Sequence, residues 1–533
     1  MKPTLAAEEL RKNLTQYLST TFALADPPVR DALDKFLNHS QNGIFRGPYL
    51  RIRTPFREVT GDWRQNVDWA PEEPTPYLHQ IQAWQRLSSR DHTPEPTLIT
   101  TGTGSGKTEA FLIPVLDHCR RARSGGNVGI KAVLLYPMNA LATDQAGRIN
   151  DLLKRPELQD LTAGLYIGDS PDTKYQHVMT ERSDIRRERP DILITNYKML
   201  DLLLQRGEDL PLWRDADIGY IVVDEFHTYD GAQGTDVAML LRRLSAATGH
   251  AEPGRPLGKI CPVATSATLG SGGDETKIRE VAEQIFGTEF PEGSVITEQR
   301  LTAEEFLDPV DYDLPLPAPQ ELWSLGDPRV DDQAMAAITK AVTGQETLTR
   351  AELGSVLRRH QLTHALLDIL GGRPSTPGEI LQTLPRLAYN WGSAWQQSPE
   401  RTAAALARFV ALLSVARNPG KPDLPFLHVE THLWVRPLSR VVRSVGMNPA
   451  FGWYGEAAPD AESTTSGVPR EALPAVYCRH CGRSGWAVYS PERDPHLLKP
   501  DPAKIYRASV SEKRLVRSLI KATDQEVAAC ADG

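Results

Sequence analysis

The chain has 533 residues, 40% hydrophobic and 24% charged, with 60 Lys plus Arg against 68 Asp plus Glu for a formal net charge of −8. This length exceeds one hydrophobic core and predicts about two to four domains, and the charge excludes a general basic coat, so any nucleic-acid contact must be local to a groove or loop. No apolar run suffices to span a bilayer, and the amphipathic start, MKPTLAAEELRKNLTQ, lacks a signal-peptide core, which predicts a cytoplasmic protein with no membrane partner.

Residues 1–75 read as an N-terminal accessory region, with helical spacing from Ala6 to Phe36 and a strand-like GPYLRIRTPF at 47–56. Pro71, Pro74 and Pro76 mark its end. From 76 to 290 short apolar runs alternate with amphipathic helical stretches, which predicts βα units and a parallel sheet. The predicted strands are 96–100, 131–137, 161–167, 191–195, 218–224 and 262–266. Ligands of such sheets bind beyond the carboxyl ends of the strands, so the polar residues that follow them are expected on one rim. Residues 291–325 read as a linker, with Pro309, Pro315, Pro317 and Pro319 close together. Residues 326–422 read as a helical region, from runs such as AMAAITKAV and RTAAALARFVALLSVA, and 423–533 as a mixed segment around a cysteine pair.

The strongest chemical signal is Thr101-Gly-Thr-Gly-Ser-Gly-Lys-Thr108, which follows a predicted strand and opens a helix. Its glycines let the backbone curl so that N–H groups point at phosphate oxygens. Thr103, Gly104, Ser105 and Gly106 are the expected cradle, Lys107 reaches the β/γ-phosphates, and the Thr108 hydroxyl ligates Mg²⁺. Thr101 stands where the strict pattern has glycine. A second signal, Val222-Val-Asp-Glu-Phe-His227, ends an apolar strand with an acidic pair: Asp224 for Mg²⁺ and Glu225 for the attacking water. In the third, Ala264-Thr-Ser-Ala-Thr-Leu-Gly270, small hydroxyl residues at a strand end are placed to bond the acidic pair and sense the γ-phosphate.

In this order and context the three signals resemble motifs I, II and III of superfamily-2 helicases, with DEFH a DExH variant. The resemblance covers about residues 76–270. It implies an α/β fold, a RecA-like P-loop parallel sheet with flanking helices, with ATP and Mg²⁺ as cofactors. It also implies catalytic roles for Lys107, Asp224, Glu225, His227, Ser266 and Thr268. Tyr77-Leu-His-Gln-Ile-Gln82 sits where the family places its adenine-reading glutamine, which points to Gln80. The stretches 135–145 and 195–197 look like the strand-tracking motifs, implying that Pro137, Asn139, Thr195 and Asn196 touch a nucleic-acid backbone, single-stranded or duplex. The wording is closest to large bacterial DNA helicases with a cysteine zinc module, of the repair or phage-defence kind. An ATP-dependent DNA helicase or translocase is therefore expected. A nucleotide-gated binding or recruiting subunit without unwinding activity, and an RNA helicase, are the competing readings. The complete Glu225 argues against a pure binder.

The odd cysteine count, Cys119, Cys261, Cys478, Cys481 and Cys530, excludes a disulfide framework. Tyr477-Cys-Arg-His-Cys-Gly-Arg483 reads as half of a zinc ribbon, with Cys478 and Cys481 as two of the four ligands Zn²⁺ needs. His428 and His432 are the in-chain candidates for the others, and a pair beyond residue 533 is the leading expectation; a redox dithiol is the alternative. Arg436, Arg440 and Arg443 beside Trp434 read either as a phosphate-holding face or as a solvated helix surface, and the charged run 181–189 as an exposed turn. Superfamily-2 motors use two RecA-like domains, the second supplying arginine fingers. Residues 290–533 hold no QxxGRxGR-like motif, so the second domain is expected in a missing C-terminal part or in a partner, and the chain is expected to be the N-terminal part of a longer helicase.

Overall fold

The computed structural model describes the chain except for residues 1–2, 40–41, 103, 169–174, 230, 267–274, 329, 385–388, 447, 457–471 and 530–533. It divides into two compact units, Phe56–Leu301 and Met1–Pro55 together with Thr302–Gly533. Among the described residues no helix is long and apolar enough to cross a membrane.

The chain enters through helices Pro3–Thr21 and Pro27–Leu37. The helical pattern breaks between them because Pro27 and Pro28 occupy the first turn of the second helix, behind an extended Asp26. Strand β1 (Phe45–Arg53) follows.

The Phe56–Leu301 unit is built on eight strands: β2 (Thr97–Thr100), β3 (Ala132–Tyr136), β4 (Ala163–Tyr166), β5 (Val178–Met179), β6 (Ile192–Asn196), β7 (Tyr220–Val223), β8 (Cys261–Ser266) and β9 (Val295–Thr297). They form one sheet in the order β5-β4-β6-β3-β7-β8-β2-β9, with every pairing parallel. Successive residues of a strand face opposite sides. Ile99, Leu134, Ile194, Val222 and Val263 accordingly pack with Phe111, Leu116 and Ile149 of one helical layer. Their neighbours Leu98, Val133, Leu193, Ile221 and Ala264 pack with Leu200, Leu241 and Phe286 of the other. Burial on both faces is why these strands read as unbroken apolar runs. All six predicted strands are present; β5 and β9 are too short to give a periodic signal, and β9 comes from within the 291–325 segment. At the amino ends of β3 and β6, Lys131 Nζ and Asp191 Oδ1 form a fully buried pair at 2.7 Å.

The run 181–189 is not a turn: it holds a helix, Arg182–Glu188, because Ile185 is buried at its centre and Arg187 pairs with Asp184 one turn away at 2.9 Å.

In the other unit, β10 (Arg417–Asn418) and β11 (Lys421–Pro425) form a hairpin, and β12 (His428–Val435) pairs antiparallel with β1. The predicted helical runs appear as helices that include Asp332–Thr343, Arg350–Leu357, Gln361–Leu370 and Pro399–Val415. Strands β13 (Val441–Ser444), β14 (Phe451–Trp453), β15 (Ala472–Tyr477), β16 (Ser484–Tyr489) and β17 (Val516–Ile520) form an antiparallel sheet in the order β14-β13-β15-β16-β17. Leu18, Val29 and Phe36 of the first helices share a core with Val441, Phe451 and Trp453. The arginines at 436–443 do not lie on a helix: Arg436 follows β12, Arg440 ends a single 3-10 turn, and Arg443 is buried in β13.

Candidate functional site

The sheet order sets the carboxyl ends of β6, β3, β7, β8 and β2 side by side. The strand ends therefore share one rim, and it carries Lys107, Thr108, Pro137, Asn139, Asn196, Asp224, Glu225 and Ser266.

Beyond β2 the loop turns through Gly104 (φ +74°) and Gly106 (φ +72°), left-handed conformations that glycine adopts at little cost. A Cβ on Gly106 would also lie 2.3 Å from Gln80 Nε2. Gly106 caps the helix Lys107–Ser124, whose first amides have no partner within the helix and face the rim. Thr103 lies outside the described residues. Ser105 is buried and donates to Thr101 Oγ1 at 2.8 Å, which gives the non-glycine Thr101 a structural part. The Ser105 carbonyl contacts His79 Nε2 at 2.8 Å, and burial lowers the pKa of that imidazole. Gln80 Nε2 donates to the Gly106 carbonyl at 3.0 Å, while its Oε1 accepts from the Tyr77 amide at 2.7 Å. Gln80 thus ties a helix start to the glycine loop. The Gly102 amide donates to Glu298 Oε2 at 2.9 Å.

Lys107 Nζ lies 3.1 Å from Glu225 Oε1. Glu225 is left-handed at φ +49°, a conformation that costs a non-glycine residue about 1–3 kcal/mol and clusters at functional sites. His227 Nδ1 stands 3.3 Å from Glu225 Oε2 and 3.1 Å from Ser266 Oγ. The Asp224 carboxylate accepts a hydrogen bond from Thr265 Oγ1. Burial raises the Asp224 pKa, and the Thr265 hydroxyl and Lys107 oppose that rise. Thr108 Oγ1 accepts from Arg148 Nη1 at 3.0 Å. Thr268 lies outside the described residues.

Farther along the rim, Asn196 Nδ2 donates to Asn139 Oδ1 at 2.7 Å, and Asn196 Oδ1 caps the helix Tyr197–Leu203 through the Met199 amide. Pro137 is half-buried beside the exposed Met138. Thr195 turns inward: it is buried and donates to the Tyr166 carbonyl at 2.6 Å.

Cys478 and Cys481 occupy the turn between β15 and β16, closed by the Gly482 amide on the Cys478 carbonyl at 2.9 Å. Arg483 Nε donates to Cys481 Sγ at 3.4 Å and helps pull that thiol down to about 7. Among the described residues no group of three or more His, Cys, Asp or Glu is placed to hold a metal ion. His428 and His432 therefore do not join the pair; they lie in β12 opposite Arg53 and Tyr49. Cys119 and Cys261 are buried, with thiol pKa values raised by burial, and Cys530 lies outside the described residues.

Thr265 belongs to the hydroxyl stretch expected to bond the acidic pair, though it was not singled out, whereas sequence reasoning gave no role to Arg148, His79 and Glu298. Glu298 carried a legible signal, since Val295-Ile-Thr-Glu298 is an apolar run ending in an acid, as at Asp224. The others depend on register and helix packing.

Residues 77–275 match the family model of the DEAD/DEAH box helicases, and the chain carries a DEAD/DEAH box helicase domain of superfamily 2. Over 381 residues it is 27% identical to the Druantia protein DruE of Escherichia coli (strain UMEA 4076-1), covering 50% of this chain and 20% of DruE. Over 219 residues it is 31% identical to the uncharacterized ATP-dependent helicase YprA of Bacillus subtilis (strain 168), covering 40% of this chain and 24% of YprA. The crystal structure of the DUF1998 helicase MrfA is 26% identical, covers 46% of this chain and 33% of that one, and has a TM-score of 0.32. The chain matches about a fifth to a quarter of the length of these two curated relatives.

Proposed function

We propose that the Phe56–Leu301 unit is the ATP-binding half of a DNA helicase or translocase motor. The observation that carries this reading is the meeting of Lys107 with Glu225, at 3.1 Å, beside the Asp224–Thr265 contact.

The residues fit the groups this function needs. The left-handed glycines and the free amides at the start of an 18-residue helix make an anion cradle. The Asp224 carboxylate and Thr108 hydroxyl are the hard oxygen donors that Mg²⁺ prefers. Mg²⁺·ATP supplies the scissile phosphoanhydride and neutralises its developing charge. Lys107 exchanges Glu225 for phosphate oxygens, and Glu225 then orients a water and takes its proton. His227 bridges Glu225 to Ser266 and so links the acidic pair to the end of β8. Gln80 holds the glycine loop in place at the edge expected to meet adenine. Pro137, Asn139 and Asn196 present polar and backbone groups to a single strand, while Thr195 fixes the end of β6 from inside.

Fast hydrolysis and movement along DNA require a second RecA-like domain, from another part of the protein or from a partner, that closes on the nucleotide. Cys478 and Cys481 are half of a Zn²⁺ site completed by ligands outside the described residues. The setting is cytoplasmic DNA repair or phage defence.

The test is ATP turnover by the purified chain with and without oligo(dT), beside Glu225→Gln. Turnover stimulated by DNA and abolished in the variant supports the motor. Nucleotide binding with DNA clamping but no turnover, even with the second domain supplied, favours a nucleotide-gated binding subunit. Stimulation by oligo(U) alone favours an RNA motor.

A further inference from the structure

Strand β12 brings two apolar side chains to the surface: Trp434 is 67% exposed and Val435 47%. A tryptophan is highly buried on average, so this exposure asks for a partner. Beside Trp434 lies an open cavity of about 670 Å³, also lined by Tyr49, Tyr454 and three arginines, Arg46, Arg436 and Arg440. That volume lies in the range of small-molecule and cofactor sites. Among the described residues Glu456 is the one carboxylate in the lining, so two positive charges remain there after it is counted against the three guanidinium groups.

The framework of the cavity is fixed. Arg436 Nη1 reaches both oxygens of Glu456 at 2.9 Å, and its guanidinium sits 5.0 Å from the Trp453 ring centroid. Arg46 Nη2 stands 3.6 Å from the same carboxylate. Trp453 is buried and donates from Nε1 to the Asn42 carbonyl at 2.6 Å. In the β1–β12 ladder Arg46 pairs with Trp434 and Tyr49 with His432, and a bulge falls between Arg46 and Tyr49. Bulges re-aim the side chains beside them. Here the bulge lies between a cation and an aromatic ring that line one cavity. Arg440 is exposed, with Nη2 on the Tyr454 carbonyl at 3.3 Å.

An exposed tryptophan with half-buried tyrosines beside cations is a combination that binds single strands without regard to sequence: bases stack on the rings and phosphates meet the guanidinium groups. Tryptophan, tyrosine and arginine also serve protein interfaces; the excess of guanidinium groups over carboxylate in the described lining is what favours a polyanionic strand. The excess of positive charge is local, on a chain whose net charge is −8.

We propose that this face of the unit formed by Met1–Pro55 and Thr302–Gly533 is a second binding site for single-stranded nucleic acid. Trp434 and Tyr49 stack bases there, and Arg46 and Arg440 hold the backbone. None of these residues belongs to the rim of the parallel sheet.

The test is fluorescence anisotropy of labelled oligo(dT) on the full chain without nucleotide, joined to ultraviolet cross-linking and peptide mapping. Trp434→Ala is expected to weaken binding about tenfold. Arg440→Glu is expected to weaken it and to flatten the salt dependence by about one unit of slope. Cross-links are expected at Trp434 or Tyr49. Both substituted side chains are exposed, and unchanged thermal midpoints will show that the variants fold. Lys107→Ala is expected to keep the Trp434 cross-link, which separates this proposal from the motor reading. Wild-type affinity and salt slope in both variants would overturn it. So would cross-links confined to 56–301, or binding of an acidic peptide with none of the oligonucleotide.

Discussion

Lys107 and Glu225 meet at 3.1 Å although they follow strands that do not touch: β8 lies between β2, which leads to Lys107, and β7, which leads to Glu225. The ion pair therefore spans three strand ends and occupies the two groups whose roles conflict until nucleotide arrives. Glu225→Gln removes the charge that holds Lys107 while keeping the size of the side chain. Nucleotide binding is expected to persist and turnover to fall about 10²–10⁴-fold, as for loss of a general base. Equilibrium binding and single-turnover hydrolysis on the same preparation check both halves.

Thr265 reaches Asp224 because Val223 and Ala264 are paired in register between β7 and β8. Thr265→Val keeps the shape and removes the hydroxyl, leaving Asp224 buried without that donor. The loss is expected to cost about 1–3 kcal/mol at the carboxylate and to read out as a weaker Mg²⁺ requirement curve. A Mg²⁺ titration of nucleotide binding measures it.

The buried Lys131–Asp191 pair lies at the opposite ends of the strands from the rim, and Asp191 Oδ2 also accepts from the Thr162 amide at 2.8 Å. Asp191→Asn leaves Lys131 charged and buried. Stability is expected to fall by about 3–5 kcal/mol, with nucleotide affinity unchanged in the folded fraction. Denaturant unfolding of the variant decides the first point and a binding titration the second.

His118 packs on the Tyr220 ring, contacts Ser89 Oγ at 2.7 Å, and has its pKa lowered to about 4, chiefly by burial and next by Arg121. In the unfolded chain this imidazole titrates near its ordinary 6.5. Its folded pKa is depressed, so its contribution is fully present above 6.5 and is lost as pH falls toward 4. The contribution is about 3 kcal/mol. Thermal midpoints are expected to drop across that window in the wild type and to drop less in His118→Gln.

The parts of this architecture that were legible from sequence share a physical cause. Strands buried on both faces carry unbroken apolar runs, and the glycine loop holds its chemistry within eight consecutive residues, Thr101–Thr108. What depended on register or distant packing was not legible. Which hydroxyl of the Ala264–Gly270 stretch meets Asp224 is a one-residue matter of strand pairing, and it is Thr265. Arg148 reaches Thr108 from a separate helix, Asn139–Leu153. Strand β9, at three residues, gives no period. The arginines at 436–443 have a spacing compatible with a helix, yet β12 and β13 claim the flanking residues through ladders to β1, β14 and β15. The first helices share a core with residues beyond 440, a contact no local pattern announces.

The most direct test of the central claim is binding of a fluorescent ATP analogue to the wild-type chain and to Lys107→Ala, each with and without Mg²⁺. Binding that needs Mg²⁺ in the wild type and is lost in Lys107→Ala is the expected result. Equal binding by the two proteins, or no binding by the folded wild type, would contradict the assignment of this rim as a nucleotide site.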